Sequence, residues 1–148
     1  MDKLDIYKHC SQKLQSQLDE LQSAIDKVQE SIEGEQSSTA GNKFETARAM
    51  GHEELNRLNR QLFNLNHEMT ILNQIDASKP CKSVQLGALI ETDKKILYLA
   101  IALGKIEISK KLIYAVSVKS PIGQAIIGKM TNDEIIIGNN KEKIISIY

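Results

Sequence analysis

Few side chains in this sequence have the type and spacing to do chemistry, and two of them lie close together. Asn42 and Glu45 stand three residues apart in the stretch Gly41-Asn42-Lys43-Phe44-Glu45-Thr46. A carboxylate such as Glu45 can help to hold a hard cation or to position water. The amide of Asn42 adds no charge and cannot act as a general base. The same spacing is also a capping box, in which Asn42 caps a helix and Glu45 reaches back to the cap. On the residues alone, both readings stand.

The elements that carry this stretch follow from hydrophobic spacing. Leu14, Leu18, Leu21, Ile25, Val28 and Ile32 recur in alternating steps of three and four. Met50, Leu55, Leu58, Leu62, Leu65, Met69 and Leu72 form a second series. Pairing them outside-in sets Leu14 against Met69, Leu18 against Leu65, Leu21 against Leu62, Ile25 against Leu58 and Val28 against Leu55. The fold axis then falls between Gly41 and Asn42. Two matching heptad seams around a polar break predict an antiparallel coiled-coil hairpin. The first helix is expected from near Asp2 to about Ile32, with Leu4 and Tyr7 extending its seam, and the second from about Lys43 to Ile75. Each arm would be roughly 45 Å long at 1.5 Å per residue. Residues 33–46 form the tip, which no large apolar rung holds beyond Ile32 and Met50, so it is expected to be mobile. In this register His9, His52 and His67 face Gln74, Ser31 and Ser16, so no two histidines converge on a metal.

Net charge is zero, which gives no overall case for nucleic acid or membrane. The charge is nonetheless divided: residues 1–80 carry 9 basic and 13 acidic side chains, and residues 81–148 carry 10 basic and 6 acidic. Cys10 and Cys81 are the only cysteines, and they show no zinc spacing. A disulfide between them requires the chain to double back, so reduced structural thiols are expected. The alternating charges at Asp2, Lys3 and Asp5 are unlike a signal peptide, and no run approaches a membrane span. A cytoplasmic protein is expected.

Beyond the linker at 77–80, where Pro80 disfavours helix at Lys79, the period changes. Residues 84–90, 96–101, 112–118, 134–137 and 143–148 are short and β-branched, with turns at Thr131-Asn132-Asp133 and Gly138-Asn139-Asn140. Ser120-Pro121 followed by Gly128 predicts one two-turn helix between them. The fold class is therefore α+β. Residues 1–76 form the hairpin, and residues 81–148 form a small antiparallel sheet domain with one short helix.

Three segments of that domain resemble the C-terminal domain of the Gre-type bacterial transcript cleavage factors. They are V-x-L-G-A at Val84 to Ala88, S-P-I-G-x-A-I-I-G-K at Ser120 to Lys129, and N-D-E-I at Asn132 to Ile135. An N-terminal antiparallel coiled coil also belongs to that family, so the resemblance covers essentially the whole chain. It implies an FKBP-like C-terminal domain that docks at the rim of the RNA polymerase secondary channel, with the hairpin passing down the channel. The docking residues it implies are Ser117, Lys119, Ser120, Pro121 and Ile122. Some relatives carry an acid just before Ser-Pro, where this chain has Lys119.

The family's tip motif is G-D-x-x-E-N, whose two acids help to hold a catalytic magnesium ion while the polymerase cuts backtracked RNA. Laid over Gly41 to Thr46, its glycine and second acid match Gly41 and Glu45, whereas Asn42 replaces the first acid and Thr46 the asparagine. The resemblance implies that Glu45 helps to hold the polymerase's magnesium and that Lys43 and Arg48 face the phosphates of the nascent RNA 3′ end. It implies no metal or cofactor of the chain's own, no membrane and no independent DNA binding. The expected function is that of an accessory factor without its own enzymatic activity, with cleavage stimulation weakened or lost. The alternatives are a secondary-channel regulator without cleavage activity and a structural or holdase-like coiled-coil protein. A prolyl isomerase is disfavoured, because after Pro80 the chain has no Phe or Trp to line a proline pocket, only Tyr98, Tyr114 and Tyr148.

Overall fold

The computed structural model describes residues 2–35 and 42–148, with the backbone alone for residues 35 and 42–44. Two long helices, α1 (Lys3–Glu35) and α2 (Asn42–Asn73), precede six strands and a short helix. The expectation of a mobile tip falls largely outside the described residues. The chain divides into two compact units, one of residues Gln12–Met69 and one of Met1–Ser11 with Thr70–Tyr148.

In the unit of Gln12–Met69, Leu21, Ile25 and Leu58 are buried together, with Ala24, Val28, Leu55, Leu62 and Leu65 packed against them. The expected pairs Leu21–Leu62, Ile25–Leu58 and Val28–Leu55 thus share one cluster, and the hairpin register stands. One assignment needs correction. Met50 is 65% exposed and takes no part in the seam. Ile32, which is buried, lies instead against Gly51. With Gly51 in place of Met50 the α2 series runs 51, 55, 58, 62, 65, 69 and 72, an unbroken alternation of four and three.

In the second unit the first turns of α1 bury Lys3, Ile6 and Cys10 rather than Leu4, which is 39% exposed. The reason is that this end of α1 meets the sheet unit rather than a coiled-coil partner alone: Lys3 Nζ donates to the Lys79 carbonyl oxygen and approaches Cys81 Sγ. The chain leaves α2 through a turn in which the Asp76 carboxylate accepts hydrogen bonds from the Ser78 hydroxyl and backbone N–H. Those bonds hold the Asp76 carboxyl below the usual carboxylate range.

The sheet is built from β1 (Leu89–Thr92), β2 (Ile96–Ala100), β3 (Gly104–Ile108), β4 (Lys111–Ser117), β5 (Glu134–Ile137) and β6 (Asn140–Ile147). Its order is β3-β4-β2-β1-β6-β5. All neighbours are antiparallel except β2 and β4, which run parallel with Leu97 opposite Tyr114, so the sheet is mixed. The parallel pair arises because β3 forms a hairpin on the far side of β4 and leaves β4 to run alongside β2. That hairpin is not signalled in the sequence. Its two loop residues, Ser109 and Lys110, both take positive φ, a type I′ geometry usually supplied by Asn and Gly.

The strand expected at residues 84–90 is also displaced. Gly87 has φ +89, and a Cβ there would stand 2.8 Å from Ile75 Cγ2. The chain therefore turns at this point, and β1 begins at Leu89. Val84 instead exchanges backbone hydrogen bonds with Gly128 and Lys129. One core joins Val84, Ala88, Ile90, Leu97, Leu99, Ile126, Ile135 and Ile144, so helix α3 (Pro121–Ile126) is fastened to the sheet through Ile126.

Candidate functional site

The Ser120–Lys129 block is positioned by a dense set of local bonds. Ser120 caps α3: its hydroxyl accepts from Gly123 N at 3.0 Å and donates to the Ser117 carbonyl at 2.7 Å. Pro121 follows at the first helical position, where the missing N–H costs nothing. Gly123 is required by contact. A Cβ on it would stand 2.1 Å from the Ser117 carbonyl oxygen and 2.8 Å from that of Val118. The Ser117 hydroxyl accepts from Lys119 N at 3.1 Å, and the Gln124 amide donates to the Val118 carbonyl at 2.6 Å. At the far end Gly128, with φ +80, donates to the Val84 carbonyl at 2.8 Å.

These bonds divide the block into residues that build the fold and residues that face outward. Gly123 and Ile126 are buried, and Ser120, Ser117 and Ile122 are half-buried. Lys119, Pro121, Gln124, Ile127, Lys129 and Met130 are exposed. One short stretch of sequence therefore leaves apolar Pro121, Ile127 and Met130 exposed together with Lys119 and Lys129. Ile127 and Met130 were not singled out from the sequence. Their exposure follows from the helix ending at Ile126, which frees the next side chains from the core.

The second candidate site lies in the other unit, at the start of α2. Glu45 is exposed in the first turn of that helix, where a carboxylate complements the helix dipole. Arg48 is exposed one turn later. The side chains of Asn42 and Lys43 lie outside the described residues, as does Gly41. Among the described residues no three His, Cys, Asp or Glu side chains gather in a way that would hold a metal ion.

Other clusters became visible only in three dimensions. Phe63, 75% exposed, projects from α2 beside Asn56, Asn59, Arg60 and Asn64. Its signal in the sequence is a run from residue 55 to 67 without a single acid. On the sheet, the fully buried Glu142 carboxylate accepts from the Thr92 hydroxyl at 2.7 Å and meets Lys95 Nζ at 3.1 Å. Lys95 and Lys105 each lie 5.8 Å from the centre of the Tyr114 ring.

The three C-terminal tyrosines do not line one pocket. Tyr98 is fully buried, Tyr114 is flanked by the two lysines, and Tyr148 borders a hollow of about 100 Å³ with Leu89, Glu91, Ile96 and Lys111. This geometry supplies no aromatic proline site. No helix among the described residues is long and apolar enough to cross a membrane.

No family model matches this chain, and no curated protein matches it significantly. One solved structure similar to it is that of the transcription factor Gfh1, at 14% sequence identity, covering 93% of this chain and 92% of that one with a TM-score of 0.36. A likeness at that score carries no argument about function.

Proposed function

We propose that this chain is an accessory transcription factor that docks on bacterial RNA polymerase through Ser117, Lys119, Ser120, Pro121 and Ile122 and inserts its hairpin into the secondary channel. The observation that carries the reading is the division within the Ser-Pro block. Ser120, Gly123 and Ile126 are accounted for by the fold. Lys119, Pro121, Ile127 and Met130 face solvent, and exposed apolar side chains within a short stretch that also exposes cations are the kind of surface a protein partner covers. Resemblance of the Ser120–Lys129 motif to the Gre-type factors, together with a hairpin in the expected register, supports the choice of partner.

The tip acts weakly on the polymerase's magnesium in this proposal. Glu45 offers one carboxylate, whereas Asn42 offers a neutral amide, and magnesium holds best to anionic oxygen. Lys43 and Arg48 would meet the phosphates of the RNA 3′ end. The chain thus stimulates cleavage poorly and regulates by occupying the channel. The test is a stalled, backtracked elongation complex. Added protein should leave the RNA nearly uncut, and should inhibit cleavage by an active factor in proportion to its concentration. Robust shortening of the RNA by this chain alone, or no competition at saturating concentration, would overturn the proposal.

A further inference from the structure

We infer that the hairpin pairs with a second copy of this chain, α1 of each copy lying on α2 of the other about a two-fold axis parallel to the helices. Two exposed rows of side chains carry the inference. On α1, Gln15, Asp19, Gln22 and Asp26 each follow a seam residue by one position, and all four are exposed. They form one row: the Gln15 amide donates to the Asp19 carboxylate and the Gln22 amide to the Asp26 carboxylate, each at 3.0 Å. On α2 the residues one position after the seam are Asn56, Asn59, Phe63 and Asn66, also exposed. No acid occurs between residues 55 and 67, and Arg60 projects beside Phe63.

One position along a helix is a turn of about 100°, so both rows are rotated from the seam by the same amount in the same sense. In two antiparallel helices that rotation brings the rows to one side of the hairpin. This side is acidic along α1 and free of acids along α2. Among the described residues Asp19, Asp26 and Arg60 have no ion-pair partner. Phe63 is 75% exposed, and an aromatic ring beside an arginine is the combination that most often anchors a protein interface.

Charge and symmetry then select the arrangement and its register. A two-fold axis lying across the helices would set α1 on α1 and oppose acid to acid, which is costly. An axis parallel to the helices sets α1 on the other copy's α2, running antiparallel, with the acids facing the row that has none. Rotation about that axis moves nothing along it, so the register between copies equals the register within one, where Leu21 is level with Leu62 and Ile25 with Leu58. Arg60 of one copy is then level with residue 23 of the other, between Asp19 and Asp26 and within about 6 Å of each along the axis. Phe63 is level with residue 20. The contact is isologous, so every pairing occurs twice. On the functional reading above, a hairpin covered in this way is withheld from the polymerase channel; the pairing itself does not rest on that reading.

Sedimentation of the full chain across a wide range of concentration tests the pairing with no polymerase present. The wild type should pass from monomer to dimer as concentration rises. Phe63→Gln, Asp26→Lys and Arg60→Glu should each raise the dissociation constant, the charge reversals by about tenfold or more because like charges then meet at two places. Circular dichroism should stay unchanged, since all three side chains are exposed. An equimolar mixture of Asp26→Lys and Arg60→Glu should associate more tightly than either variant alone, because each supplies the charge that the other lacks. A wild type that remains monomeric throughout would overturn the inference. So would a dimer that survives all three substitutions, or a mixture that associates no better than its components.

Discussion

Gly51 lies against Ile32: a carbon added at the Gly51 Cβ position would stand 2.7 Å from Ile32 Cγ1 and 3.0 Å from Cδ1. The glycine is therefore the seam residue opposite Ile32, and its missing side chain is what lets the helices approach there. Gly51→Ala brings two opposing effects. Alanine is favoured over glycine in a helix interior by about 1 kcal/mol, but the new methyl displaces Ile32. The substitution should destabilise the wild-type hairpin and, once Ile32→Ala has removed the obstacle, stabilise it by up to about 1 kcal/mol. Urea unfolding of the four variants measures the cycle. The same sign in both backgrounds would mean that the two residues do not touch.

Much of the hairpin was legible because its seam is written in large apolar side chains. Leu21, Ile25 and Leu58 announce themselves in any heptad count, whereas Gly51 cannot, and the exposed Met50 beside it takes its place in a hydrophobicity pattern. Lys3 was hidden for a related reason. A lysine is read as surface, and the partners that accompany its burial, the Lys79 carbonyl and Cys81 sulfur, lie far along the chain. The β3 hairpin escaped because Ser109 and Lys110 carry none of the usual turn chemistry. The Ser-Pro block was read correctly as a capped helix, since capping is local. The Glu142 pocket was not, since Thr92 and Lys95 reach that carboxylate from a distant strand pair.

The α3 cap and crossing should respond in graded fashion. Ser120→Ala loses the cap and should cost about 1 kcal/mol. Gly123→Ala places a methyl on two backbone oxygens that cannot move independently, and should cost more than about 4 kcal/mol or prevent folding. Chemical denaturation measures both. Equal, small losses would mean that α3 does not lie across residues 117 and 118 as described.

Tyr98 should govern the alkaline limb of stability. Burial pushes its phenol well above the ordinary range, with the neighbouring Cys10, Tyr7 and Cys81 adding to the shift. Above about pH 10, where an unfolded tyrosine loses its proton, the unfolded chain binds fewer protons than the folded one. Stability from this group is thus complete below pH ~10 and falls as pH rises further. Tyr98→Phe should flatten that fall. At neutral pH it should be neutral or stabilising, because it removes a buried hydroxyl without a partner among the described residues. Thermal melts between neutral and alkaline pH check this; an unchanged alkaline slope in Tyr98→Phe would contradict it.

Asn42 marks the departure of the tip from the Gre-type pattern, and restoring the acid separates the capping reading from the metal reading. Asp caps a helix about as well as Asn, so Asn42→Asp should leave stability within about 0.5 kcal/mol of wild type. Magnesium-dependent cleavage of RNA in a backtracked complex should rise, and adding Glu45→Gln should abolish the gain. An unchanged cleavage rate, with polymerase binding verified, would leave Asn42 as a helix cap only.

Docking on RNA polymerase is the claim on which the rest of the function depends, and direct binding of the full chain to bacterial core polymerase tests it. The wild type should be retained by the enzyme. Lys119→Glu alters an exposed side chain and should weaken retention severalfold while the circular dichroism spectrum and melting temperature stay unchanged. Pro121→Ala should weaken it in the same direction. Failure of the wild type to bind, or binding that survives both substitutions and maps to residues 1–75 alone, would contradict the proposed docking surface.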